Sequence, residues 1–194
     1  MALVLGLDPG SCHAGYGLVE TDGRSVALVT SGRLSPPPAW PLPRRLVHIH
    51  QGLTELMSLH RPSAVAVESL FCGRNMRSAV ILAQARGVLL LAAAQGGAEI
   101  FEYTPREIKN AVTGHGQAGK EQVAFMVAAL LKLNCRESLT PDAADALAAA
   151  LCHAGREEGE GRGPSRLPRP VRKRSWRDLS EEDLAALSQA RSRL

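Results

Sequence analysis

No two cysteines in this chain stand close enough in sequence to suggest a paired site. The four, Cys12, Cys72, Cys135 and Cys152, lie 60, 63 and 17 residues apart, without the C-x-x-C spacing of a zinc or thioredoxin-like centre, and they read as free thiols. Long uncharged apolar runs are missing as well. The longest candidate, AVILAQARGVLLLAAAQ, is interrupted by Gln84, Arg86 and Gly87, short of the roughly 18 residues that suggest a membrane span, so it reads as a buried or interface helix. Met1 leads straight into a strand-like run with no basic stretch or cleavage site. No secretory signal is visible, and the expected compartment is the cytoplasm with no membrane partner. What is present, 45% hydrophobic and 22% charged residues in a chain of 194, suits one well-formed soluble core.

Charge is unevenly spread. Residues 1–154 carry 13 Lys+Arg against 12 Asp+Glu, a net +1, while 155–194 carry 10 against 7, a net +3. From Arg162 to Arg177 there are seven basic residues and no acid, interleaved with Pro164, Pro168 and Pro170. Such a composition cannot bury a core and predicts a basic, largely disordered tail, serving either as a phosphate-binding arm or as a solvated linker. Beyond it, Ser180 and the acids of SEEDLAALSQARSRL start a short helix over 181–192 with a thin apolar stripe at Leu184 and Leu187. The expected organisation is therefore one domain over 1–154 and a tail over 155–194.

Within 1–154 the pattern predicts an α/β fold. A strand over 3–8 is followed by GYGLVE and SVALVTSGRL, joined across Asp22-Gly23 as a hairpin. After the five prolines of SPPPAWPLP comes a helix over about 43–60, stopped by Pro62, then the strand AVAVE, a helix over about 76–95 and the strand EIFEY. Thr104-Pro105 and Thr140-Pro141 each open a helix, the first with Glu107 completing a capping box, and another helix covers about 119–133. The 76–95 helix is apolar on more than one stripe. Val80, Leu82 and Leu89 point differently from Ile81, Val88 and Leu91, so a second face needs a partner, most simply a second copy in a homodimer.

Four acids fall where such a sheet would gather them. Asp8 closes the first strand, Glu68 closes AVAVE, and Asp142 and Asp145 sit three apart on one face of the last helix. Singly, each has a plainer explanation: an Asp-Pro-Gly turn, a strand end, an acid favoured by a helix dipole. Asp145 is harder to explain away, because its neighbours Ala143, Ala144 and Ala146 permit close packing where an unpaired acid is costly. Together, hard oxygen donors without nearby cysteine suit Mg²⁺ or Mn²⁺.

GLDPG, VESLF with GRN after it, QARGV, FEYTPREIK, the GK at 119–120 and DAADALA occur in an order and spacing that closely resemble the RuvC family of bacterial Holliday junction resolvases, over about residues 1–154. The resemblance implies a ribonuclease H-like fold, a five-stranded mixed sheet flanked by helices. It implies a homodimeric, structure-selective endonuclease that resolves four-way DNA junctions by paired nicks in homologous recombination and DNA repair, working with motor partners of the RuvA and RuvB type. Its four acidic positions fall on Asp8, Glu68, Asp142 and Asp145, the third being His in some relatives. They would hold two Mg²⁺ per site, with Mn²⁺ able to substitute, for hydrolysis that leaves 5′-phosphate and 3′-hydroxyl ends. Lys109 and Lys120 match positions near the scissile phosphate, where a point charge stabilises the developing anion; solvated helix lysines are the plainer alternative. Phe71 matches an aromatic that stacks at the junction, against the alternative of a core Phe. Arg74, Asn75 and Arg77 would then form a phosphate clamp, and His115 and His153 receive no role.

Other classes stay in view. Gly114 to Glu121 nearly spells a P-loop, but Glu121 stands where Ser or Thr would ligate Mg²⁺. GLDPGS beside a hairpin also resembles the phosphate loop of actin-like kinases and ATPases, which need two such domains. A catalytically idle junction-binding module, an RNA-directed ribonuclease H-like enzyme and a YqgF-type resolvase are the remaining readings.

Overall fold

The computed structural model describes residues 1–69, 76–133 and 139–157, all within one compact unit. Residues 158–194 of the tail, with the 181–192 helix, and Cys72, Cys135, Phe71, Arg74 and Asn75 lie outside the described residues.

Strands β1 (Ala2–Asp8), β2 (Ala14–Thr21) and β3 (Val26–Leu34) open the fold as an antiparallel meander. Helix α1 (Leu42–His60) leads to β4 (Ala64–Glu68), α2 (Met76–Gln95) to β5 (Glu99–Tyr103), and then come α3 (Pro105–Thr113), α4 (Lys120–Leu130) and α5 (Pro141–Glu157). The sheet order is β3-β2-β1-β4-β5, with β4 parallel to both β1 and β5. This is a five-stranded mixed sheet, as the resemblance implies.

Local chemistry explains most boundaries. Residues 22–25 link β2 to β3, a longer connection than a two-residue turn. Asp22 Oδ1 accepts from the Arg24 and Ser25 N–H groups at 2.9 and 2.8 Å, and Gly23 takes φ 83°. The stop after α1 is Arg61 in a left-handed conformation, φ 50°, with Pro62 following. At α3 the capping box is complete: the Thr104 hydroxyl accepts from Glu107 N–H, and the Glu107 carboxylate accepts from Thr104 N–H at 2.8 Å. Helix α4 ends at Leu130, before the expected 133, because Lys132 turns to φ 54°. Helix α5 runs to Glu157 and so passes residue 154.

Both sheet faces are covered, which is why β1 and β4 read as unbroken apolar runs. Leu5, Leu7, Val65 and Val67 pack with Ile49 and Leu53 of α1 and Leu89 of α2. Val4, Ala64 and Ala66 pack on the other face with Ile108, Val123, Val127 and Leu147 of α3, α4 and α5. Helix α2 is long and apolar enough to cross a membrane by length and composition. Here one face of it packs on the sheet, with Ala85, Leu89, Ala92 and Ala93 buried. Leu89 therefore belongs to the core and not to an outer face; Met76, Val80 and Leu91, at 70%, 52% and 52% exposure, are the large apolar residues that α2 turns outward.

Helix α5 lies unusually close to β1 and β2. A Cβ on Gly6 would collide with the Ala146 carbonyl oxygen, one on Gly15 with the Asp142 carbonyl oxygen, and one on Gly17 with the Leu147 side chain. The facing helix surface is itself small, with Ala143, Ala146 and Ala150 all buried. Backbone cannot yield as a flexible side chain does, so Gly6→Ala should lower stability by about 1–3 kcal/mol, read as a drop in the urea midpoint. An unchanged midpoint would mean that α5 is not seated on these glycines.

Candidate active site

The seat of α5 brings the acids together. Alternation along β1 turns Val4, Gly6 and then Asp8 toward α5, and alternation along β4 does the same for Ala64, Ala66 and Glu68. Asp8 pairs with Gly15 in the β1–β2 ladder, and Gly15 lies directly beneath the Asp142 backbone. Thr140 caps the start of α5, its hydroxyl accepting from Ala143 N–H at 3.3 Å. Asp142 and Asp145 consequently project from the first turns of α5 at the end of the sheet where β1 and β4 finish.

Two lysines complete the opening. Lys120, the first residue of α4, donates to Asp145 Oδ2 at 2.9 Å. Lys109 of α3 lines a pocket of about 200 Å³ together with Glu68, Lys120 and Asp145, walled by Ile108, Val123 and Ala148. Arg33 of β3, which no local pattern marks, approaches Asp142 at 3.9 Å. The loop after Asp8 is held from α1, where Arg45 Nη1 donates to the Ser11 carbonyl at 3.4 Å and contacts Cys12 Sγ at 2.7 Å. Arg77 is exposed in the first turn of α2. His115 sits in the turn that ends α3, and His153 is buried, its Nδ1 2.7 Å from the Tyr103 hydroxyl. The near-P-loop runs from the cap of α3 to the cap of α4, not from a strand to a helix, so it lacks the architecture that cradles phosphates.

Crowding shows in the titration of the acids. Asp8 is pushed up to about 7, first by burial and then by the charges of Asp145, Glu68 and Asp142, with only Lys120 pulling down. Glu68 is raised too, by burial and then by Asp145, against Lys120 and Lys109. The hydrogen bond to Asp145 raises Lys120 in turn. That lysine is 80% exposed along its side chain, so solvent screens it and it offsets the half-buried acids only in part.

A divalent cation fits this donor set in kind: hard carboxylate oxygens around a buried acid in want of positive charge. As they stand, however, no three His, Cys, Asp or Glu side chains among the described residues are close enough to enclose one ion. Binding would draw the carboxylates inward and compete with the Lys120 contact to Asp145.

A five-stranded mixed sheet in the order β3-β2-β1-β4-β5, flanked by helices and with a carboxylate crevice at one end, is a ribonuclease H-like arrangement. The solved yeast mitochondrial Holliday junction resolvase Ydc2 shares the fold, with a TM-score of 0.55 at 12% identity over 78% of each chain. The family described as crossover junction endodeoxyribonuclease RuvC matches residues 4–153, and the chain belongs to that family. Curated RuvC proteins include those of Rubrobacter xylanophilus, 49% identical over 78% of this chain and 84% of the relative, and Halorhodospira halophila, 51% identical over 79% and 90%. The Thermus thermophilus RuvC structure in complex with Holliday junction substrate superposes with a TM-score of 0.75 at 36% identity, covering 81% of this chain and 96% of that one.

Because Asp8 is raised in the fold, the folded state holds a proton that the unfolded state releases between about 4 and 7. Metal-free protein should thus lose a few kcal/mol of stability as pH rises through that window, and Asp8→Asn should remove most of the loss, leaving the smaller part that the raised Glu68 contributes. Melting curves in chelator at pH 4.5 and 8 check this. An Asp8→Asn protein that is less stable than wild type at pH 8 would contradict a preformed acidic cluster.

Proposed function

We propose that the chain is a structure-selective endonuclease that resolves four-way DNA junctions by paired symmetric nicks, in homologous recombination and DNA repair. The observation that carries this reading is the crevice, where burial and then the charges of Asp145, Glu68 and Asp142 push Asp8 up to about 7, with Lys109 and Lys120 at the opening. In this reading Asp8, Glu68, Asp142 and Asp145 hold divalent ions, two Mg²⁺ per site with Mn²⁺ able to substitute. Such ions, when bound, activate water and neutralise charge on the phosphodiester.

The chain's own residues bind and orient. Lys109 and Lys120 set positive charge beside the scissile phosphate, and the apolar wall of Ile108, Val123 and Ala148 lowers the dielectric in which those charges act. Water displaces the 3′ oxygen, leaving 5′-phosphate and 3′-hydroxyl ends that a ligase can seal. Phe71 stacks at the branch point, and Arg74, Asn75 and Arg77 clamp phosphates. The nuclease domain ends near the close of α5, and the basic residues of 162–177 add phosphate contacts beyond it. The protein works in the cytoplasm beside motor partners of the RuvA and RuvB type.

A panel of four-way junction, linear duplex and RNA–DNA hybrid in Mg²⁺ tests the reading, with symmetric nicking of the junction expected. Asp8→Asn, Glu68→Gln and Asp145→Asn should reduce nicking to background while junction binding in Ca²⁺ persists. Lys120→Met should cost about 10²–10³ in kcat. Faster cutting of the hybrid, or loss of binding with cleavage retained, would overturn it.

A homodimer belongs to the same proposal, since two nicks on opposing strands of a two-fold junction call for two identical sites. Support comes from the outward apolar face of α2, where Val80 is exposed and Leu91 joins Leu42, Leu46 and Val88 in lining a groove of about 390 Å³ between α1 and α2. Light scattering at micromolar concentration should give a dimer, and Leu91→Glu should give folded monomers that lose paired nicking. A wild-type monomer that cuts both strands in one binding event would refute it.

A further inference from the structure

The geometry points to Arg86 as a positioning residue for Glu68, acting from the side of the sheet opposite the chemistry. The inference rests on the reading that Glu68 serves the nuclease site. Arg86 lies in the middle of α2 with its side chain only 11% exposed, on the face where Ile100 and Glu102 of β5 and Val67 of β4 turn their side chains. Its Nη2 is 2.8 Å from Glu102 Oε2, at ion-pair distance though not aligned as a hydrogen bond, and its Nε donates to the Glu68 backbone carbonyl at 3.5 Å. One guanidinium thus ties together α2, the end of β5 and the last residue of β4.

A buried guanidinium is a costly way to join two strands and a helix, since a well-packed apolar side chain of similar volume does this at no lower stability. What an apolar side chain cannot do is hold a carbonyl at a set height. Glu68 is the point where β4 leaves the sheet. On its other flank, Ser69 N–H donates to the Tyr103 carbonyl at 2.8 Å, so the backbone around Glu68 is gripped from both sides. Arg86 meets Glu68 through that residue's backbone carbonyl and not through its carboxylate. It acts by fixing where the Glu68 carboxylate stands relative to Asp8 and Asp145, as groups behind metal-binding carboxylates do.

The test uses the full chain. Arg86→Met, which keeps the long stem, should leave junction binding in Ca²⁺ and the junction KM unchanged. It should lower kcat on the order of 10-fold or more and raise the Mg²⁺ concentration for half-maximal nicking by a similar factor. Calorimetric titration of the DNA-free protein with Mn²⁺ should show the same weakening without reference to activity. Glu102→Gln, at a half-exposed position that tolerates change, should move both quantities in the same direction by less, and it carries the test should Arg86→Met fail to fold. Arg86→Lys should rescue only in part, because an ammonium cannot reach the carboxylate and the carbonyl together. Folded variants with wild-type kcat, Mg²⁺ dependence and Mn²⁺ affinity, differing only in melting temperature, would reduce Arg86 to a structural pin. Failure of the wild type to nick any junction would instead sink the functional reading, and the Mn²⁺ titration would still decide the role of Arg86.

Discussion

The close seat of α5 on β1 and β2 is the constraint on which the rest of this molecule depends. Helix and sheet approach through backbone rather than side chain, with Gly6, Gly15 and Gly17 facing an alanine-rich surface. Seated further out, α5 would carry Asp142 and Asp145 away from Asp8 and leave two strand-end acids in an open cleft. Seated where it is, it converts a local pattern, acids three apart in a first turn, into a tertiary cluster. Packing and function are coupled here, because the substitutions that loosen the helix also disperse the charge.

The charge that results is not balanced within the fold. Burial and three like neighbours act on Asp8, and the counter-charge that lowers it, on Lys120, is held in solvent and already engaged with Asp145. Native cores pair their buried charges; a site that gathers acids without doing so stores repulsion that a cation relieves. Lys120 is therefore well placed to exchange roles, paired with Asp145 as the carboxylates stand and free to meet an anionic phosphate when they have another partner.

Much of the fold was legible because its signals are local. The bounds of α2 follow the apolar run of 76–95, the α3 cap follows Thr104, Pro105 and Glu107, and the strands follow apolar runs between turn residues. The four acids were legible as strand-end and helix-start residues before any tertiary contact was known. Other features were not. A period-two pattern shows that Gly6 faces inward but not what it meets, and the spacing of Leu89 does not tell an outward face from the core it occupies at 0% exposure. Arg33 and Arg86 were invisible for the same reason: their partners Asp142 and Glu102 are brought to them by topology, and no short-range pattern joins them.

The central claim is that four acids, drawn together by the seating of α5, form one divalent-cation site. The most direct measurement is a crystal structure of the protein soaked in Mn²⁺, read by anomalous scattering at the manganese edge. Anomalous density against the carboxylates of Asp8, Glu68 and the two α5 aspartates, with Lys120 withdrawn from Asp145, is the result this account predicts. A crevice without anomalous density at millimolar Mn²⁺, with the Lys120 contact to Asp145 intact, would contradict it.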